Sequence, residues 1–432
     1  ESLKLLSFFT SVAGRFGNVG QGDYGAANET LNRLAWQLHH NWPRVRVVSI
    51  NWGPWDAGMA TDTMRAAFKA IGIVPVSISG GRRFFLDELA LGGRNDVEVV
   101  AGEGPWMQFA EPASNAPAAT VVQKPDSAGS LPLIHKPLRV GAGGAVVLEH
   151  RVSLADDPYI ADHIIDGKPV LPASCAVEYI AQFVAAGYPE WQVAELRDVR
   201  QLAAVVLESD GGRDIMLRAR SSSHSEPGAQ AVAVEIVDPL RKFVPFYRAT
   251  VILTQRLPEP PAEQSLIALS GNEALDWRTA YMELLFHGER LRLISKFDGF
   301  ATNGADAVVM PSLPQVLLGS AGKDAQWLFD PGLLDTVPQV AHLCAIAFRD
   351  KGALPSRFGR IARFGSDPLV GPLKLSVREK PAPHEHAFVY DAQIVDQAGR
   401  VRLLIADGES TMSAALKRLA PKYARMPAGS TA

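Results

Sequence analysis

Residues 157–174 read Asp-Pro-Tyr-Ile-Ala-Asp-His-Ile-Ile-Asp-Gly-Lys-Pro-Val-Leu-Pro-Ala-Ser, and Cys-Ala-Val-Glu-Tyr-Ile-Ala-Gln-Phe-Val-Ala-Ala-Gly follows to 187. His163 stands alone among apolar residues, with Gly167 and Pro172 behind it. Glycine at 167 permits a backbone angle, or a close approach by a ligand, that a side chain forbids. Proline at 172 suits the opening of a helix. The residues beyond it, Ala176, Val177, Ile180, Phe183 and Val184, have the spacing of a buried helix. The N-terminus of such a helix carries partial positive charge. It would suit a carbonyl oxygen that gains negative charge.

A second stretch, Leu-Phe-Asp-Pro-Gly-Leu-Leu-Asp-Thr-Val-Pro-Gln at 328–339, opens another apolar helix, expected over 332–348. Asp335 and Gln339 lie one turn apart, so the amide can orient the carboxyl. Asp330 is the rival carboxylate. Strand-like segments at 146–153, 230–237, 246–254 and 387–395 surround the two helix candidates. Two helices, each with its own strands, predict two α+β units in tandem.

The first stretch resembles the His-x-x-x-Gly-x-x-x-x-Pro motif of β-hydroxyacyl dehydratases from multidomain synthases, as His163, Gly167 and Pro172. The second resembles that family's Asp-x-x-x-Gln/His motif, as Asp335 and Gln339. The resemblance spans about residues 136–415 and implies a double hotdog, each half wrapping strands around one long helix. It implies His163 as base and Asp335 as acid, supported by Gly167, Pro172 and Gln339, with a backbone N–H near Gly167 polarising the thioester carbonyl. A third stretch, Leu-Phe-His-Gly-Glu-Arg-Leu-Arg at 285–292, is similar to the family's Tyr-Gly-Pro-x-Phe-Gln segment beside the pocket. There His287 replaces the Tyr, Glu289 the Pro, Leu291 the Phe and Arg292 the Gln. His287 and Gly288 are expected to line the pocket.

The N-terminal part reads differently. Apolar runs at 3–9, 45–51 and 97–101 alternate with helical spacing, as over 24–42, which predicts a parallel α/β sheet. Phe-Thr-Ser-Val-Ala-Gly-Arg-Phe-Gly-Asn-Val-Gly-Gln-Gly-Asp-Tyr-Gly-Ala-Ala-Asn at 9–28 places Ser11 at a strand end and Tyr24 and Asn28 one helical turn apart. With Asn-Trp-Gly-Pro-Trp-Asp-Ala-Gly-Met at 51–59 it resembles the C-terminal part of the ketoreductase domain of the same synthases, a Rossmann-like relative of short-chain dehydrogenases. By that resemblance Ser11 orients a ketone, Tyr24 protonates the alkoxide and Asn28 supports the relay. The glycine-rich first βα turn of a dinucleotide site does not occur in this stretch. NADPH is expected only in a complete parent ketoreductase. Ketoreductase before dehydratase resembles polyunsaturated fatty-acid and enediyne-type synthases rather than most modular ones.

The remaining expectations are coarser. The chain has 432 residues, 47% hydrophobic and 21% charged, with a net charge of −3. That balance gives no electrostatic reason to expect nucleic acid or an anionic membrane. No apolar run reaches the roughly 20 residues of a membrane helix. Cys175 and Cys344 are expected as buried thiols in a reducing cytoplasm. No metal is expected: His39, His40, His384 and His386 lack partner ligands in sequence. Arg357, Arg360 and Arg363 are expected on a solvated face, or as a docking point for an acidic carrier protein. The opening residues read as the middle of a strand, so the chain is expected to be an excised piece of a longer polypeptide. The expected divisions are 1–106 (ketoreductase part), 107–135 (linker), 136–262 and 263–415 (two hotdogs) and 416–432 (a frayed tail).

The expected function is dehydration of a β-hydroxyacyl thioester held on the phosphopantetheine of an acyl carrier protein, with no cofactor. The partners implied are that carrier protein and other synthase domains, in a homodimer. Rivals are NADPH-dependent reduction by the N-terminal part, a non-catalytic hotdog scaffold, and an isomerase using the same His.

Overall fold

A computed structural model describes residues 3–17, 21–56, 68, 72–94, 96–104, 120–122, 131–134, 136–140, 145–221, 228–239 and 245–424. The chain divides into two compact units, Glu1–Asn115 and Ala116–Ala432.

The first unit is the expected α/β layer. Strands β1 (Leu5–Ser11), β2 (Arg46–Trp52) and β3 (Glu98–Ala101) form a parallel sheet in that order. Among the described residues the helices are α1 (Val12–Phe16), α2 (Gly22–Asn41) and α3 (Ile78–Leu91). β2 is buried at nearly every position, as a strand covered on both faces must be. Residues 57–59 of the quoted ketoreductase-like string lie outside the described residues.

The second unit is built on one antiparallel sheet of 13 strands. In chain order these are β4 (Thr120–Val122), β5 (Leu138–Val140), β6 (Val146–Ser153), β9 (Gln192–Gln201), β10 (Gly212–Ser221), β11 (Ala229–Val237), β12 (Pro245–Thr254), β13 (Ile294–Ala301), β14 (Gly304–Val309), β15 (Gly352–Arg363), β16 (Leu373–Lys380), β17 (Ala387–Val395) and β18 (Val401–Ser413). A separate two-residue hairpin pairs β7 (Ile164–Ile165) with β8 (Lys168–Pro169). The spatial order is β13-β14-β16-β17-β18-β15-β9-β12-β11-β10-β6-β5-β4. β9 and β15 therefore join two half-sheets edge to edge, with Arg197 opposite Arg360 and Arg200 opposite Arg357. Burial alternates along β6, buried then not, as one covered face requires.

Each half-sheet wraps a helix. α4 (Ala173–Gly187) is buried except at Ala185 and Gly187, and α5 (Pro331–Arg349) is buried from Pro331 through Ile346. A helix apolar on nearly every side must be enclosed. Together they give the double hotdog, with one continuous core that includes Phe183, Val184, Leu333, Val337 and Leu343.

Two expected boundaries shift. Within the expected linker, β4 pairs with β5, and Leu133 and Ile134 are buried in the core. The expected tail is shorter: Ala414–Leu419 form a 3-10 helix, and Leu419 and Ala420 are buried. Both segments are short and aperiodic, so their apolar residues gave no pattern to read.

Candidate active site

His163 follows a 3-10 turn, Pro158–Asp162, and begins the β7–β8 hairpin. The hairpin tip is Asp166-Gly167, with φ of 50° and 76°. Two consecutive positive φ values are what a two-residue type I′ turn needs, and Asp-Gly is a favoured pair for it. A Cβ on Gly167 would meet nothing within 4 Å. Gly167 is therefore required by the turn angle and not by a close approach. Gly167 is exposed at the hairpin tip, which does not favour its own N–H as the expected carbonyl donor. The alternative donors are the first N–H groups of α4, just past Pro172, which have no intrahelical acceptor.

The hairpin returns the chain so that Val170 faces His163. The Nδ1–H of His163 donates to the Val170 carbonyl at 2.8 Å. That bond leaves Nε2 as a free lone pair on a neutral ring. Burial lowers the His163 pKa, opposed by the charge of Asp335 and by the Val170 bond.

Asp335 projects from the second turn of α5. Its Oδ1 accepts from Ser174 Oγ on α4 at 2.9 Å, and its Oδ2 accepts from Gln339 Nε2 at 2.9 Å. Gln339 is itself fixed: Nε2 also donates to Leu291 O at 3.1 Å, and Oε1 accepts from the Tyr281 hydroxyl at 2.9 Å. Every polar atom of that amide is occupied, so its orientation is unambiguous. Burial raises the Asp335 pKa, against the opposing pulls of His163, Gln339 and Ser174. His163, His287 and Asp335 are 7%, 5% and 4% exposed.

His287 joins the two. Its backbone bridges that of His163, its ring lies 5.6 Å from the His163 ring, and its Nε2 lies 3.3 Å from Asp335 Oδ2. The next residue explains the close fit. Gly288 N donates to Asp162 O at 2.7 Å, and a Cβ on Gly288 would lie 2.0 Å from Asp162 Oδ1. Gly288→Ala is expected to cost about 1–3 kcal/mol, the usual penalty of overpacking. A lowered urea midpoint with an unchanged slope would show it.

The rival Asp330 has another task. It caps α5 by accepting from Leu333 N, and its two oxygens also take the Ser312 N–H and hydroxyl. Burial pushes its pKa up to about 6, but its lone pairs are committed to the fold. Ser174 is the site residue that sequence reading missed. A small hydroxyl two residues past Pro172 carries no pattern of its own, and its partner is 161 positions away.

The other candidates separate from this cluster. Ser11 caps α1 by accepting from Ala13 N at 3.1 Å. Asn28 donates to the Tyr24 carbonyl at 2.8 Å rather than to its phenol, and Tyr24 is 51% exposed. A Cβ on Gly14 would lie 2.8 Å from Asn28 Cβ, so that glycine serves the contact between α1 and α2. These residues do not compose a dinucleotide site. Among the described residues no group of three His, Cys, Asp or Glu could hold a metal, and both cysteines are buried free thiols. Arg357 and Arg360 pair with Asp198 and Glu195, and Arg363 donates to the Val193 carbonyl, so the three lace the β9–β15 seam and are not free cations. A surface cleft lined by Pro311, Trp327, Arg363 and Arg402 includes neither His163 nor Asp335.

Residues 132–238 match a family model described as polyketide synthase dehydratase domain, residues 259–420 one described as polyketide synthase dehydratase N-terminal domain, and residues 1–57 the KR domain. A polyunsaturated fatty acid synthase subunit from Thraustochytrium sp. is 25% identical over 90% of this chain, which spans 13% of that relative's length. Polyketide synthase GfsB of Streptomyces halstedii is 35% identical over 21% of the chain, and that stretch is 2% of the relative. The dehydratase domain from the CurF module of curacin polyketide synthase is 13% identical with a TM-score of 0.52, over 66% of this chain and all of that one. The corresponding CurJ domain is 16% identical with a TM-score of 0.50, over 68% of this chain and 99% of that one. Both structures share the fold. Residues 132–238 and 259–420 are thus each similar to a polyketide synthase dehydratase model, with a match to part of a KR domain ahead of them.

Proposed function

We propose that the double hotdog removes water from a β-hydroxyacyl thioester, giving the α,β-enoyl thioester. The lone pair of His163 Nε2 takes a proton from the carbon beside the thioester. The electron pair left behind forms the new double bond as the C–O bond at the β-carbon breaks. Asp335 protonates the departing oxygen, which leaves as water. The N–H groups opening α4 stabilise the thioester oxygen while it carries negative charge. His163 ends protonated and Asp335 ionised, so one net proton transfer between them restores the site.

The observation that carries this reading is a buried base and a buried acid, adjacent in space, with pKa values moved in opposite directions from those of free side chains. Burial favours the neutral form of His163 and the protonated form of Asp335. The rate is therefore expected to be bell-shaped in pH. It falls on the acid side as His163 gains a proton, below the ordinary histidine range, and on the basic side as Asp335 loses one, above the ordinary aspartate range. A pH profile of kcat, with water loss followed by mass spectrometry on a β-hydroxyacyl carrier protein, checks both limbs. A rate that rises steadily through the carboxylate range and stays high would sink the protonated-acid assignment. An absence of turnover across several acyl lengths and both hydroxyl configurations would favour the scaffold or isomerase.

We infer further that the substrate arrives on the phosphopantetheine arm of an acyl carrier protein within a type I polyketide or polyunsaturated fatty-acid synthase. The partners are that carrier protein, the other synthase domains and a second copy of the chain, in the cytoplasm. The matches to multidomain synthases support this context. No helix among the described residues is long and apolar enough to cross a membrane. NADPH belongs to the complete ketoreductase, and no step here uses it.

A further inference from the structure

Resting on the dehydratase reading, we infer that His287 is a positioning residue for the acid: its imidazole donates Nε2–H to Asp335 Oδ2, so that the transferable proton resides on Oδ1. The first support is the hydrogen-bond pattern at the carboxyl. Oδ2 already accepts from Gln339 Nε2, an amide nitrogen that can only donate, and His287 Nε2 lies 3.3 Å from the same oxygen. That contact is longer than the usual N–H···O distance, as catalytic contacts are before substrate closes on them. Oδ1 faces only the Ser174 hydroxyl, 2.9 Å away, which can rotate from donor to acceptor when Oδ1 carries the proton.

The second support is the other side of the imidazole. His287 Nδ1 is buried with no hydrogen-bond partner. A proton there would be a shut-in donor with nothing to give to, whereas a proton on Nε2 meets a carboxylate. A bare acceptor is the cheaper of the two, so the Nε2–H tautomer is selected. The ring has little freedom to do otherwise. Phe286 stacks on it at 4.2 Å, Arg292 Nε donates to the His287 carbonyl at 2.9 Å, and the backbone is bridged to His163.

The charged and titratable groups around the pair do not compete for this role. Asp335 is faced by His163 and by the Cys175, Tyr281 and Tyr390 side chains, none of which is a second carboxylate. His287 is faced by His163, His342 and Arg292; burial, with their positive or potentially positive charges, holds it well below the ordinary histidine pKa. It stays neutral while Asp335 titrates.

The test compares pH profiles of kcat and KM for the full chain, His287→Phe and His287→Gln, with a β-hydroxyacyl carrier protein as substrate. His287→Phe removes a donor that favours the carboxylate, so the Asp335 pKa rises and the basic limb moves up by about one pH unit. The plateau kcat falls about 10- to 100-fold through misorientation, with KM little changed. His287→Gln restores a donor near the Nε2 position and returns the limb to its original place. A limb that stays put in His287→Phe, or moves equally in both variants, overturns the inference. Nitrogen NMR on the unmodified chain gives a readout independent of turnover: an Nε2–H tautomer is expected, and an Nδ1–H tautomer overturns the role. Failure of the unmodified chain to turn over would instead overturn the dehydratase reading itself, which the tautomer measurement does not touch.

Discussion

Asp335→Asn is expected to lower kcat about 10²- to 10⁴-fold, the usual contribution of a general acid. The substitution keeps the shape of the side chain and removes the proton that must reach the leaving oxygen. It also turns one oxygen into an NH₂, which can still meet Ser174 Oγ but would clash in polarity with Gln339 Nε2. The carboxamide therefore settles with its oxygen towards Gln339 and His287, and the fold is preserved. Burial at 4% exposure makes rescue by bulk water inefficient. KM should change little, because the lost interaction belongs to the transition state. Single-turnover kinetics on a carrier-bound substrate measure the step directly. A fall of less than about fivefold would leave Asp335 without the role of acid.

Glu178→Leu is expected to destabilise the second unit by about 3–5 kcal/mol at pH 6, because several buried donors each lose a partner worth about 1–3 kcal/mol. Glu178 sits in the middle of α4, fully buried, and accepts from Leu328 N at 2.8 Å and Phe329 N at 2.7 Å. Gln182 on the next turn donates to it at 2.7 Å and accepts from Leu133 N at 2.9 Å. This pair pins the chain entering α5 and the segment before β5 to one helix, which fixes how the acid's helix meets α4. Burial pushes the Glu178 carboxyl up to about 7 from its ordinary 4.5, against the bonds to Gln182, Leu328 and Phe329 and the charge of Arg363. A carboxyl raised in the folded state binds its proton more tightly there than in the unfolded chain. Its contribution is full below about pH 4.5 and lost as pH rises through about 7. The loss amounts to about 3 kcal/mol, on the scale of 1.36 kcal/mol per pH unit. Glu178→Gln removes the titration, so the stability gap between the unmodified chain and this variant should narrow from pH 5 to pH 8. Urea midpoints at the two pH values measure it, and a constant gap would mean that the carboxyl is not buried as described.

Much of this was legible in the residues, for identifiable physical reasons. A helix with few polar positions has one place to go, so 173–187 and 332–348 mark the two core helices to within a residue at each end. Strands with one covered face alternate, so 146–153, 230–237, 246–254 and 387–395 match the observed β6, β11, β12 and β17 closely. His163 and Asp335 stand out through the resemblance of their stretches to dehydratase motifs, since spacing alone does not single them out. The seam between β9 and β15 was not legible, because a pairing across about 160 positions leaves no local pattern. Ser174, Glu178 and Gln182 escaped for the same reason: each is a polar residue inside an apolar helix whose partner lies far along the chain. Asp330, by contrast, carries a local signal. Aspartate before proline at the start of an apolar run is an N-cap signal, and its bond to Leu333 N is the expected result. The arginines of the seam misled because charge alone does not show that Glu195 and Asp198 lie beside them.

The most direct test of the pairing of base and acid is water loss from a β-hydroxyacyl carrier protein, followed by mass spectrometry without NADPH, for the unmodified chain beside His163→Ala and Asp335→Asn. The expected result is conversion to the enoyl product by the unmodified chain and near-complete loss in both variants, each folded by circular dichroism. Conversion by either variant at the unmodified rate would contradict a mechanism in which His163 takes the proton and Asp335 gives one.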